Sequence, residues 1–316
     1  MGRYRIIVRE LASRQLPFYF IVVSGGSSIM TYDLYKRLEE RISNWGLANE
    51  EIIAIYVVGS RARVDKPYDE LSDLDVVVFS TNPGYYLQTD EWLLNIDKVW
   101  TSFLFRTAGG DPEKLVVFDR GAQVDFVLHH IFDLEHIIQS GQIPGVFQRG
   151  ARLLLDKRGD GHLLIHTEAY VPDDKPITEG AFLQVVNMFG FACLYVAKLI
   201  LRNDMWTANH RDKDCKELLL QMVEWHAKAI HGATYDTWHA GKFIHDWADP
   251  AVIAELKHSF GGYDQINSWK ALNVSFELFS RLSTEVATIY KFTYPESLFI
   301  NVRTWLAEQH LDVLSN

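Results

Sequence analysis

The chain has 316 residues, 48% of them hydrophobic and 23% charged, ordinary values for a globular protein long enough to form two domains with sizeable cores. A formal net charge of −10 argues against a general nucleic-acid binder, which needs a basic face against phosphates, and favours a cationic small molecule. Two cysteines, Cys193 and Cys215, give neither a disulfide framework nor zinc-ligand spacing, which fits a reducing cytoplasmic setting.

The N-terminal segment imitates a signal peptide: Arg3, Arg5, Arg9 and Arg14, an apolar patch from Leu16 to Val23, then Ser24-Gly25-Gly26-Ser27-Ser28. The apolar run is short, contains Pro17 and leads to no A-x-A site. Met30 directly precedes Thr31-Tyr32-Asp33, and Leu34, Leu38 and Ile42 make the stripe of an amphipathic helix over 31–45. Met30 is therefore expected to be the functional start, with 1–29 an upstream extension. No segment reads as long and apolar enough to span a membrane.

Ile52 to Val58 is a run rich in β-branched residues, broken at Gly59-Ser60-Arg61. It reads as a buried strand ending in a tight turn. Backbone N–H groups of that turn and the Ser60 hydroxyl suit a phosphate. A second strand, Leu74 to Phe79, is introduced by Asp73-Leu74-Asp75. Residues two apart on a strand point the same way, so Asp73 and Asp75 project together. Their repulsion favours a hard cation such as Mg²⁺. A phosphate cradle beside paired carboxylates is the equipment of phosphoryl or nucleotidyl transfer.

A helix is expected near 88–105. Leu115 to Phe118, the turn Asp119-Arg120-Gly121 and Ala122 to Leu128 then read as a hairpin. Asp125 sits mid-strand between Val124 and Phe126 and needs a partner there. Two readings stand: a salt bridge to a basic residue elsewhere, or a third carboxylate that completes a metal triad or serves as general base. His129-His130 read as structural.

Arg152 to Leu155 is a further strand, and 157–177, with Gly159, Gly161, Pro172 and Pro176, has the composition of a linker. Beyond it the pattern is helical. Phe182 to Leu201 is apolar on nearly all sides, as the centre of a bundle would be, and helices follow at about 211–230, 250–259 and 264–291. Inside the central helix Lys198 either snorkels to the helix end or crosses to a triphosphate. Arg61 has the same pair of readings, phosphate contact or a surface salt bridge. Glu224, among Met222, Val223 and Trp225, could bind a cationic acceptor, act as a base or make a structural hydrogen bond.

Gly59-Ser60-Arg61, Asp73-Leu74-Asp75 and Asp125 resemble the core of the nucleotidyltransferase superfamily that includes DNA polymerase β-like enzymes. Leu153-Leu154-Leu155-Asp156-Lys157, Val196-Ala197-Lys198, Leu220 to Trp225, Gly241-Lys242-Phe243 and Tyr294-Pro295-Glu296 are similar to one branch, the aminoglycoside 6-adenylyltransferases (streptomycin adenylyltransferases). The likeness runs from about residue 31 to about 306. It implies an α+β fold: a polymerase β-like domain with a mixed sheet and flanking helices over 30–157, a linker over 158–177 and an α-helical substrate-binding domain over 178–316. It also implies Mg²⁺ on Asp73, Asp75 and Asp125, ATP phosphates on Gly59, Ser60, Arg61 and Lys198, and an aminoglycoside acceptor, foremost the 6-hydroxyl of streptomycin, near Glu224. Relatives that modify streptomycin tend to carry a glutamate and a tryptophan where this chain has Met188 and Gly190, which opens the acceptor to revision. A nucleotidyltransferase for another acceptor and a non-catalytic nucleotide-binding module are the alternatives; oligomeric state has no signature here.

Overall fold

A computed structural model of the chain describes residues 29–66, 68–165, 170–172 and 175–315. The expected extension therefore lies outside the described residues except for Ile29, where the first helix begins. The chain divides into two compact units, Met1–Tyr170 and Val171–Asn316.

The first unit is built on a six-stranded mixed sheet. Helix α1 (Ile29–Ala48) leads into β1 (Ile52–Val58) and β2 (Leu74–Ser80), and α2 (Pro83–Gln88) follows. Next come β3 (Val99–Arg106), β4 (Pro112–Phe118), β5 (Gln123–His130), α3 (Ile131–Ser140), α4 (Gly145–Gln148) and β6 (Arg152–Asp156). The spatial order is β3-β4-β5-β2-β1-β6, with β2 and β5 parallel and every other neighbour antiparallel. Alternation divides the strands between two cores. Ile55, Val57, Val76, Val78 and Phe126 pack with Leu38, Trp45 and Trp92 on one face. Tyr56, Val77 and Phe79 pack with Leu134 and Phe147 on the other. Asp75 and Asp125 share the parity of this second face, at the sheet end where β2 and β5 begin.

The helix expected near 88–105 is not formed. A 3₁₀ turn, Glu91–Asn95, buries Trp92 and Leu93. The β-branched and aromatic run that follows becomes β3, an exposed edge strand paired with β4. The opening of the expected linker also packs on this unit: the Tyr56 hydroxyl donates to the Gly161 carbonyl at 2.8 Å, and Arg158 pairs with Glu135.

The second unit contains α5 (Glu179–Leu201), α6 (Met205–His231), the short α7 (Ile244–Trp247) and α8 (Pro250–Leu256), α9 (Gln265–Tyr290) and α10 (Glu296–Ser315). Thr178, Asp204 and Asp264 cap α5, α6 and α9 by accepting backbone N–H bonds. Phe189 stacks on Phe279 at 3.6 Å between ring centroids, in a core shared by α5, α6, α9 and α10. Cys193 is a fully buried core thiol and Cys215 is likewise free and buried. By length and composition α5 could cross a membrane, contrary to the reading that no segment could; half of its most apolar window is buried in the bundle. The α+β architecture follows the sequence expectation: a mixed sheet with flanking helices, then an α-helical unit.

Candidate active site

The site begins with a backbone conformation. Gly59, directly after β1, has φ +63°, which a side chain rarely adopts. A Cβ there would lie 2.8 Å from the Asp75 carboxyl carbon, so glycine admits the carboxylate against the turn. The carbonyl of Gly59 accepts N–H bonds from Ala62 and Arg63, closing the turn as a single 3₁₀ step, Gly59–Arg61.

Parallel pairing of β2 with β5 sets Asp75 directly beside Asp125, and β1 closes the other side with Val58 opposite Asp75. Asp73 precedes β2 and sits outside the ladder, yet its carboxylate joins the other two. One oxygen from each lies within 4.8 Å of the others. No other cluster of this kind occurs among the described residues. Asp125 is partly buried; that burial, then Asp75, Asp73 and Glu113, push its carboxyl up to about 7. Anionic repulsion of this kind is what a bound divalent cation relieves, and an all-oxygen donor set suits Mg²⁺ better than a soft metal. The donor set thus fits the expected ion.

Of the two readings of Asp125, the salt bridge is not made among the described residues; the carboxylates gather instead. Glu113, on β4, is a fourth acidic group felt by Asp125, itself pushed up by burial. Sequence reasoning missed it, although the hairpin register that places Leu115 opposite Asp125 puts Glu113 on the same face two residues away.

Arg61 forms no surface salt bridge among the described residues. It is buried, its Nε donates to the carbonyls of Ser72 and Asp73 at 3.0 and 3.1 Å, and an Nη donates to Ser72 at 2.7 Å. Its guanidinium lies 3.7 Å above the Tyr35 ring and 4.9 Å from that of Tyr68. The Ser60 hydroxyl is 3.5 Å from the Asp73 carbonyl, a long bond at best. His130 caps α3 by accepting from the Phe132 N–H, and His129 stacks on Phe79, so both histidines are structural.

Lys198 and Glu224 belong to the second unit. Lys198 is exposed, not buried as its apolar neighbours suggested, and its ammonium stands 6.0 Å from the Trp305 ring centroid. Helical spacing puts it on one face with Met188, Phe191 and Tyr195, all exposed. Glu224 is half-buried on α6, and burial raises its carboxyl while Lys228, one turn on, opposes the shift.

The family model for streptomycin adenylyltransferase matches residues 34–309. The chain belongs to that family. Membership fixes the class of the protein as a nucleotidyltransferase. An aminoglycoside 6-adenylyltransferase of Bacillus subtilis (strain 168) is 24% identical over 268 residues, covering 80% of this chain and 90% of its own length. One from Staphylococcus aureus is 22% identical, covering 82% and 93%. The solved structure of an aminoglycoside 6-adenyltransferase from Bacillus subtilis aligns at 19% identity with a TM-score of 0.40, covering 86% of this chain and 97% of that one.

Proposed function

We propose that the protein transfers the adenylyl group of ATP to a hydroxyl of an aminoglycoside and releases pyrophosphate. The carboxylate triad carries this reading: three acidic side chains offering oxygens within 4.8 Å of one another, beside a glycine turn, suit a divalent cation that meets a phosphate chain. Asp73 and Asp75 would hold Mg²⁺, with Asp125 completing the set, and the ion would supply charge neutralisation for the phosphates. Asp125, set directly beside Asp75 by the parallel pairing, would take the proton from the acceptor hydroxyl. That oxygen attacks the α-phosphorus, the bond to the bridging oxygen breaks, and pyrophosphate departs. Gly59 and Ser60 cradle the phosphates, Lys198 is the cation offered by the helical unit, and Glu224 is a carboxylate for a cationic acceptor. Free, buried thiols support a cytoplasmic setting.

Streptomycin, through its 6-hydroxyl, is the first acceptor to test, on the strength of the family and the relatives' names. One observation favours a different acceptor. Met188, where streptomycin-modifying relatives tend to have glutamate, is half-exposed and lines a cleft of about 860 Å³ with Phe191, Tyr195, Asp214 and Glu217. Gly190 packs so closely on Leu298 that a Cβ would lie 3.1 Å from it; a tryptophan there requires Leu298 to move. Pyrophosphate release with ATP across a panel of aminoglycosides separates the readings. Streptomycin-dependent release is the expected result; release with another acceptor alone moves the assignment, and tight ATP binding without turnover overturns the enzymatic reading.

A further inference from the structure

The sheet register explains why Asp75 meets Asp125, but it does not explain Asp73. Asp73 lies ahead of β2, so no ladder bond holds it at a fixed distance from the pair on the strands. Something else must set its position, since a metal site needs its ligand spacing held closely.

Arg61 is the group in place to do so. At 6% exposure a guanidinium is costly unless its donors are satisfied. Here two of its three nitrogens donate to the backbone on which Asp73 is carried, Nε to the Ser72 and Asp73 carbonyls and an Nη to Ser72. The face of the group rests on Tyr35, a stacking that a planar guanidinium makes and a lysine ammonium does not. Tyr35 then reaches the other carboxylate strand: its hydroxyl accepts the backbone N–H of Gln123 at 3.2 Å, two residues before Asp125 and at the first position of β5. The turn bearing Arg61 is itself pinned. Gly150, at φ +129°, lets its backbone approach so closely that a Cβ would be 2.6 Å from the Ala62 carbonyl oxygen. Arg149 also pairs with Asp65 at 3.1 Å.

We infer that Arg61 and Tyr35 are a positioning pair that sets the spacing between the Asp73 and Asp125 ends of the cation site, and that Arg61 acts on the aspartate backbone and not on the phosphates. The inference rests on the reading of the three carboxylates as a cation site. The pair touches no substrate; it orders ligands from both sides through Tyr35.

Mn²⁺ binding to the full chain without nucleotide, measured by calorimetry, tests this beside ATP binding without metal and thermal unfolding. Arg61→Lys keeps the charge and loses the fork and the stack; Mn²⁺ affinity is expected to fall about 10–100-fold, with metal-free ATP affinity unchanged. Tyr35→Phe keeps the ring and loses only the Gln123 bond, and a fall of several-fold is expected; it also serves if Arg61→Lys does not fold. Tyr56→Phe, which deletes a buried hydrogen bond to Gly161 that involves neither Arg61 nor Tyr35, lowers the unfolding temperature without changing Mn²⁺ affinity. Wild-type Mn²⁺ affinity in Arg61→Lys or in Tyr35→Phe overturns the pairing. So does an equal loss in Tyr56→Phe, which would make the effect general destabilisation. Loss of ATP affinity alone in Arg61→Lys returns that residue to the phosphates. A wild-type chain that binds no Mn²⁺ refutes the cation reading itself, and the pair's role falls with it.

Discussion

Replacing Asp125 by asparagine removes one charge from the triad while keeping its shape. In the folded, metal-free protein this carboxyl titrates at about 7 against an ordinary 3.8. A difference of that size corresponds to about 4 kcal/mol against the ionised form. The side chain is only partly buried, and solvent screening brings the working figure to about 1–2 kcal/mol. The sign follows from linkage. Below pH 4 the carboxyl is protonated whether the chain is folded or not, and the substitution gains nothing. Between pH 4 and 7 the folded state keeps a proton that the unfolded chain releases, so wild-type stability falls with rising pH. Above 7 the loss is complete. Asp125→Asn is therefore expected to unfold at higher temperature than wild type at pH 8 in chelator, by about 2–4 °C for each kcal/mol in a unit of this size. The gain should shrink steadily towards pH 4, while pyrophosphate release is lost. Excess Mg²⁺ should stabilise wild type more than the variant. Calorimetric scans across that pH range, with and without Mg²⁺, make the comparison. A variant no more stable than wild type at pH 8, or one with the same advantage at pH 4.5, refutes the account of the triad as a site of mutual repulsion.

Asp75→Asn should reduce pyrophosphate release to background; near-normal turnover would show that Asp75 holds no metal. Gly59→Ala places a side chain at φ +63° against the Asp75 carboxyl, and Mn²⁺ affinity by calorimetry should drop at least about tenfold. Met188→Glu adds a carboxylate to the exposed face of α5, and the KM for streptomycin should fall about fivefold, the scale of a solvent-screened ion pair; an unchanged KM would remove that position from acceptor recognition. Gly190→Trp has to displace Leu298, so scanning calorimetry should show a loss of about 1–3 kcal/mol, as overpacking gives.

What could be read from the sequence was whatever depends on local periodicity. The runs at Ile52 and Leu74 are strands because β-branched residues follow one another between polar breaks, and strand alternation was enough to aim Asp73 and Asp75 together, whereas Asp125 joins them only through the β2–β5 register. The same reasoning failed where composition hid the period. In α5 nearly every residue is apolar, so Lys198 looked buried, whereas the helical repeat places it with Met188, Phe191 and Tyr195 on the exposed side. Trp92, Leu93 and Ile96 have helical spacing and are buried, but they occupy only a 3₁₀ turn and its end. The residues after them pair with β4, which the sequence showed only as the hairpin partner of β5, and that pairing overrode the expected helix.

Arg61 shows why the remainder was out of reach. Read along the chain, an arginine after a Gly-Ser turn has phosphate as its obvious partner, because the turn is the nearest thing with a known appetite for anions. Its actual neighbours come from three separated places: Tyr35 on α1, Tyr68 in the following loop, and the carbonyls of Ser72 and Asp73. None of these contacts leaves a periodic trace, and carbonyl acceptors leave no trace in any sequence, since every residue has one. A motif therefore tells which charges a site assembles, while what holds them at working distance is found only once the chain is folded. For this protein the difference is measurable. If Arg61 served the phosphates its loss would be felt by ATP, and if it serves the aspartates its loss is felt by the cation before any nucleotide arrives.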